Sequence, residues 1–256
     1  MNRRSMLSWL GASAASTLTP LSAVAGAPRQ ERTQVLTLES FRVTHADQMP
    51  RLHAYLGGAL LPLLDRIHEG PKMFLEAIVA PHTPQVIFLT TFLSFDEMLD
   101  VRGRIAADPR LRQARADMES AKVPVLDQVQ SQVLITTKES LRFPMGSKRQ
   151  EGGVIELRSY HAPAWHDGPP TRFSTVLSRA GIHPIVNAST AASEHLPQFT
   201  YLIPFASLAT RQEAWQKLDA DLEWINFQRE SVARYGCEAK VTGKSIYKLT
   251  PYSPLA

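Results

Sequence analysis

Two stretches of this chain run parallel at a nearly constant spacing, and that limits what it can fold into. Phe88-Leu89-Thr90-Thr91-Phe92-Leu93-Ser94-Phe95 parallels Tyr201-Leu202-Ile203-Pro204-Phe205-Ala206-Ser207-Leu208 at an offset of 113. Ala107-Asp108-Pro109-Arg110-Leu111 parallels Ala220-Asp221-Leu222-Glu223-Trp224 at the same offset, and Leu134-Ile135 falls on Tyr247-Lys248. Upstream, Leu38-Glu39-Ser40-Phe41 parallels Leu157-Arg158-Ser159-Tyr160 at 119, so the second stretch lacks about six residues between these points. Self-similarity at a fixed period points to two copies of one unit.

Each copy reads as the same series of elements. In the first, residues 35–43 are rich in Val, Leu and Phe and read as a strand. Met49, Leu52, Leu56, Leu60, Leu63, Leu64 and Ile67 recur at helical spacing. Gly57-Gly58 and Pro62 interrupt them, and Pro62, lacking an amide donor, is expected to kink or restart the helix. Gly70-Pro71 ends it. Residues 73–80 and 85–92 read as short strands around Pro81-His82-Thr83-Pro84, a proline-rich hairpin turn. Ser94 and Glu97 have capping-box spacing, and Phe95, Met98, Arg102 and Ile105 share a face of the helix that follows. Asp108-Pro109 restarts the helix with proline in its first turn. Residues 128–137 close the unit as a strand.

The order βαββαβ is the ferredoxin-like pattern, and the fold class is α+β with two tandem modules of this kind. The second copy runs through a strand at 154–160, a helix at 171–180, strands at 184–190 and 199–205, a helix from Leu208 and a last strand near 237–249. Leu208, Arg211, Trp215 and Leu218 fall on the helix face that mirrors the first copy. The chain therefore divides into a first module at 34–138, a linker at 139–152 and a second module at 153–255.

Residues 1–27 stand apart. Arg3-Arg4-Ser5-Met6-Leu7 opens a positive start, an apolar small-residue run follows, and Ala23-Val24-Ala25 is a cleavage pattern. This order is a secretory signal, and the arginine pair resembles a twin-arginine leader. Export to the periplasm or the extracellular space is expected, with no transmembrane segment after the signal is removed. Outside those residues the net charge is only +2, and bases and acids are interspersed. That argues against a nucleic-acid partner. A single cysteine, Cys237, excludes an intramolecular disulfide.

The residues of the second copy resemble the NIPSNAP family. The resemblance is carried by Ile155-Glu156-Leu157-Arg158-x-Tyr160, Gly181-Ile182-His183-Pro184 and Tyr201-Leu202-Ile203-Pro204-Phe205. It continues through Ser207-Leu208, Arg211, Ala214-Trp215 and Asp221-x-Glu223-Trp224 to Thr250-Pro251-Tyr252-Ser253-Pro254-Leu255. Leu222 departs from it, standing where the family pattern usually has proline. The first copy matches more loosely, through Tyr55, Leu61-Pro62, Gly70-Pro71 and Ala107-Asp108-Pro109. The resemblance implies the dimeric α/β barrel superfamily, in which two ferredoxin-like sheets face each other. One chain with two copies can supply both sheets as a monomeric pseudo-dimer, or two chains can pair as a homodimer. The superfamily includes cofactor-independent monooxygenases, haem-degrading enzymes and isomerases, whereas NIPSNAP proteins have no agreed chemical activity.

A ligand is expected in a cleft between helices and sheet. Arg158 and Tyr160 share one strand face. In a cleft, Arg158 would bind an acid and Tyr160 would donate a hydrogen bond or proton; otherwise they are a surface ion pair with Glu156 and a half-buried tyrosine. His183 could act as acid or base, or be a turn residue. Tyr201, Trp215 and Trp224 could wall an aromatic pocket with Arg211 beside them, or be core. A buried Arg211 would need a partner such as Asp219 or Glu223. His161, His166 and Asp167 lack a further ligand, so no metal is expected. No phosphate loop or catalytic triad appears. No organic cofactor is expected, although the superfamily leaves haem open. The expectation is a small-ligand-binding or interaction module, with a cofactor-independent oxygenase or isomerase as the alternative.

Overall fold

The computed structural model describes residues 33–120, 122–137, 152–161, 171–194, 196, 198–236 and 240–254. The expected leader, nearly all of the linker, His166, Asp167 and Cys237 lie outside them. The first half runs β1 (Thr33–Val43), α1 (Met49–Tyr55), α2 (Leu61–Ile67), β2 (Lys72–Val79), β3 (Gln85–Phe92), α3 (Phe95–Ala107), α4 (Pro109–Glu119) and β4 (Leu126–Thr137). The second runs β5 (Val154–His161), α5 (Thr171–Arg179), β6 (Val186–Ala192), β7 (Gln198–Phe205), α6 (Leu208–Asp219), α7 (Leu222–Tyr235) and β8 (Lys240–Leu249).

The strands form one closed antiparallel barrel in the order β1-β3-β2-β8-β5-β7-β6-β4. Read around the ring, the first half supplies β4-β1-β3-β2 and the second β8-β5-β7-β6, the same internal order. The two sheets join where β2 meets β8 and where β4 meets β6. Closure removes the unpaired edges that invite aggregation. The strand registers correspond as well. Val35 faces Phe92 and Glu39 faces Phe88 in the first half; Val154 faces Phe205 and Arg158 faces Tyr201 in the second. Met73 faces Leu89 and Val186 faces Leu202. The six-residue difference therefore falls between the first and second strands of each half, in the helical segment.

That segment is built differently in the two halves. In the first, Leu56–Leu60 form one π-helical turn between α1 and α2, at Gly57-Gly58, and Pro62 sits in the first turn of α2. In the second, α5 ends at Gly181, whose φ of 84° needs a residue without Cβ. Ile182 N–H then donates back to the Leu177 carbonyl at 2.9 Å, and the Ile182 side chain is buried.

The paired helices start on matching caps. Ser94 Oγ and Ser207 Oγ each accept an amide three residues on at 3.1 Å. Asp108 caps α4 through Leu111 N–H. Asp221 accepts from both Glu223 and Trp224, and so starts α7 although Leu222 replaces the helix-starting proline. The inward face of α3 differs from the expected one. Met98 and Val101 are buried, whereas Phe95 is 45% exposed and Arg102 turns aside to Glu39.

Alternation along the strands separates three cores. Leu36, Leu38, Leu75, Leu89, Leu134, Ile155, Leu202 and Tyr247 fill the barrel interior. Outward residues of the first sheet, such as Val35 and Phe41, pack under α1 to α4. Outward residues of the second, including Tyr160, Tyr201 and Ile203, pack under α5 to α7. The C-terminal tail returns to the first half. Thr250 N–H donates to the Phe74 carbonyl, Phe74 N–H donates to Ser253 Oγ, and the Tyr252 ring covers Gly57.

Candidate functional site

The site lies on the outer face of the second sheet. Even-numbered residues of β5 point away from the barrel, so Glu156, Arg158 and Tyr160 lie in a row beneath α6 and α7. None is at the surface: Glu156 is 0% exposed, Arg158 and Tyr160 7% each. The surface ion pair expected from the sequence is thus a buried one. The helices that cap the outer face shut water out of it.

Glu156 is the hub. Arg211, on α6, grips it side-on, with Nε donating to Oε2 and Nη2 to Oε1, both at 2.9 Å. Arg158 Nε donates to Oε1 at 2.6 Å and Trp215 Nε1 to Oε2 at 2.8 Å. Four donors saturate the carboxylate, as a buried charge requires. Burial opposes its ionisation, but the Arg211 hydrogen bonds, the Arg158 charge and hydrogen bond and the Trp215 N–H outweigh that. Its pKa is held below the ordinary carboxylate value. Arg211 therefore pairs with Glu156 and not with Asp219 or Glu223. Glu223 instead meets Arg179 at 2.6 Å, beside Asp221.

Arg158 is fixed on three sides. Its Nε is on Glu156, its Nη1 donates to the Tyr160 hydroxyl at 3.1 Å, and its Cζ lies 3.3 Å from the centroid of the Trp215 ring. Burial pushes the Tyr160 phenol above its ordinary pKa, partly offset by Arg158. Near neutrality that phenol is a neutral group, suited to giving a hydrogen bond rather than taking a proton.

Next to this row is a half-open cavity of about 220 Å³. Arg158, Tyr160, Val241 and Lys244 form its floor on β5 and β8. Trp215, Leu218 and Asp219 of α6 line one side, and Trp224, Phe227, Gln228 and Ser231 of α7 the other. The rings of Trp224 and Phe227 stack at 5.7 Å and 19°. The structure thus brings Arg158, Tyr160, Trp215 and Trp224 to one wall and places Arg211 behind it. Tyr201 lies deeper, edge-on to Tyr160 at 5.8 Å, with no hydrogen-bond partner for its buried hydroxyl among the described residues. Burial raises its phenol well above the usual value. His183 is exposed, in the turn after α5, and is not among the wall residues.

Sequence reasoning missed Glu156 as the centre and Lys244, Gln228 and Ser231 as wall. The signal for Glu156 was present, since it shares the parity of Arg158 and Tyr160. Lys244 reaches the site only because β5 and β8 pair, with Arg158 directly opposite it.

The first half carries different side chains at the matching places. Thr37, Glu39 and Phe41 stand where the second half has Glu156, Arg158 and Tyr160, and Arg102 where it has Trp215. A single pair remains there, Arg102 to Glu39 at 2.5 Å, with Ser131 also accepting from Arg102. With one partner instead of two, desolvation prevails, and the Glu39 carboxyl is shifted up.

These features define a class, an eight-stranded α+β barrel with a ligand-sized cavity outside the sheet of its second half. The family resemblance read from the sequence holds. Residues 172–254 match the NIPSNAP family model. A NIPSNAP family protein from Agrobacterium tumefaciens strain C58 is similar in structure, with 14% identity and a TM-score of 0.35, over 41% of this chain and 94% of that one. A provisionally assigned chlorite dismutase has 10% identity and a TM-score of 0.51, over 87% of this chain and 97% of its own, and shares the barrel fold. A heme-binding protein from Thermus thermophilus has 11% identity and a TM-score of 0.45, over 86% of this chain and 92% of that one. No curated protein matches the sequence.

Proposed function

We propose that the chain is an exported binding module that holds a small molecule in the cavity between β5, β8, α6 and α7. The observation that carries this reading is Arg158. A guanidinium is fixed by Glu156, Tyr160 and Trp215 on the wall of a half-open cavity lined in part by aromatic rings. Pre-organised polar groups beside aromatic walls in a cleft mark binding sites. The chain is read as two fused ferredoxin-like modules, a reading supported by Ser94 and Ser207, and Asp108 and Asp221, which cap matching helices 113 residues apart. The second module keeps the site, and the first serves to close the barrel.

Haem suits the cavity poorly. Haem iron takes an axial His, Cys, Met or Tyr. Tyr160 alone among the described wall residues is of that kind, and its hydroxyl already accepts from Arg158. The volume, about 220 Å³, is also below the ~300–1,000 Å³ of typical drug-sized pockets. A second reading, a cofactor-independent oxygenase or isomerase, draws on the Tyr160 hydroxyl at the wall. Its base would have to be Asp219 or Lys244, since the wall holds no histidine or cysteine among the described residues.

Ser231→Phe tests the binding reading. Ser231 is 9% exposed and faces the cavity, so a phenyl group there fills it. Fragments that bind the protein should lose affinity at least tenfold in this variant while its thermal melt stays within a few degrees. Unchanged binding of every fragment would contradict the assignment. For the address, Arg3→Lys with Arg4→Lys is expected to leave a fused periplasmic reporter in the cytoplasm. Undiminished export would remove the twin-arginine route.

A further inference from the structure

We propose that the ligand is a flat organic acid of about benzoate size, its carboxylate held between Arg158 and Lys244; this rests on the binding reading above. Arg158 and Lys244 are directly opposed across β5 and β8, and both line the cavity. Like charges directly opposite on neighbouring strands destabilise a sheet. Glu156 cannot compensate, because it is saturated by four donors and shared between two guanidiniums. Lys244 has no carboxylate within ion-pair distance among the described residues, and Asp219 across the cavity pairs with neither cation. The wall therefore keeps an uncompensated positive charge at the mouth of a space the helices half enclose. An anion would relieve it.

The geometry narrows the class. Arg158 has Nε on Glu156, Nη1 on Tyr160 and one face against Trp215, and its Nη2 has no protein acceptor among the described residues. Those N–H groups are held in a fixed plane, the arrangement that recognises a carboxylate. The stacked Trp224 and Phe227 rings offer a flat apolar surface. The half-open space, about 220 Å³, is that of about seven bulk waters, enough for a single ring with its carboxylate. Gln228 and Ser231 can hydrogen-bond a ring substituent.

Titration calorimetry and tryptophan emission with benzoate and benzamide, at pH 7, separate the outcomes. Benzoate is expected to bind about tenfold or more tightly than its neutral isostere. Lys244→Gln, at an exposed position that leaves the buried network intact, should weaken benzoate about tenfold and leave benzamide unchanged. Benzamide binding as tightly as benzoate, both lost in Ser231→Phe, would overturn the anion class and leave the cavity a binding site. The same holds if only other, neutral fragments bind. If no fragment of any charge binds, the binding reading itself falls.

Discussion

At the scale of the residue, two carboxylates at neighbouring levels of one architecture behave oppositely because they have different numbers of partners. Glu156 has two guanidiniums and an indole, and its pKa is lowered; Glu39 has one guanidinium, and its pKa is raised. The depressed Glu156 pKa contributes stability that is fully present above its unfolded value of 4.5 and lost as pH falls through the lower folded value. The raised Glu39 pKa has the reverse sign, with its contribution present below 4.5 and lost as pH rises through the folded value. Glu156→Gln strands the buried Arg158 and the partly buried Arg211 and should cost about 3–5 kcal/mol in urea unfolding at pH 7. Glu39→Gln, beside the half-exposed Arg102, should cost under about 1 kcal/mol. Equal costs would contradict this difference. Tyr201→Phe removes a buried hydroxyl with no partner among the described residues and should be neutral or raise the melting temperature. Arg158, Tyr160 and Glu156 were legible as a row because strand alternation is local. Burial of that row was not, since it depends on α6 and α7 covering the sheet.

At the scale of the element, the helical segment after β1 shows how a local irregularity is tied to a distant partner. Gly57-Gly58 read as an interruption of a helix. The structure gives it a function in packing: a Cβ on Gly57 would sit 2.7 Å from the Tyr252 ring. Tyr252 also meets His53 Nδ1 through its hydroxyl at 2.9 Å, and its ring lies edge-on to Phe74 at 5.4 Å. Gly57→Ala should therefore cost about 1–3 kcal/mol, and most of that should disappear in a Tyr252→Ala background. An unchanged cost in both backgrounds would place the defect in the π-helical turn itself. The caps at Ser94, Asp108, Ser207 and Asp221 were readable, because each acts on amides two or three residues away. The docking of the C-terminal tail on Phe74, which Ser253 meets across 179 residues, was not, because nothing in Thr250-Pro251-Tyr252 specifies a distant partner.

At the scale of the molecule, the tandem order predicted two equivalent sheets, and the ring order β4-β1-β3-β2 and β8-β5-β7-β6 supplies both from one chain. A closed ring offers no edge for strand addition. The protein should therefore run as a monomer by light scattering at micromolar concentration; a stable dimer would require a helical face as its interface. The barrel interior is packed with hydrophobic side chains, and its buried Gln85 donates to the Tyr247 hydroxyl, so ligand chemistry is expected outside it, under α6 and α7. Methyl-resolved NMR during fragment titration tests this most directly. Shifts should concentrate at Leu218 and Val241 on the cavity wall, with the interior methyls of Leu36, Leu89 and Leu202 unmoved. Shifts centred on the interior methyls, with Leu218 and Val241 silent, would contradict it.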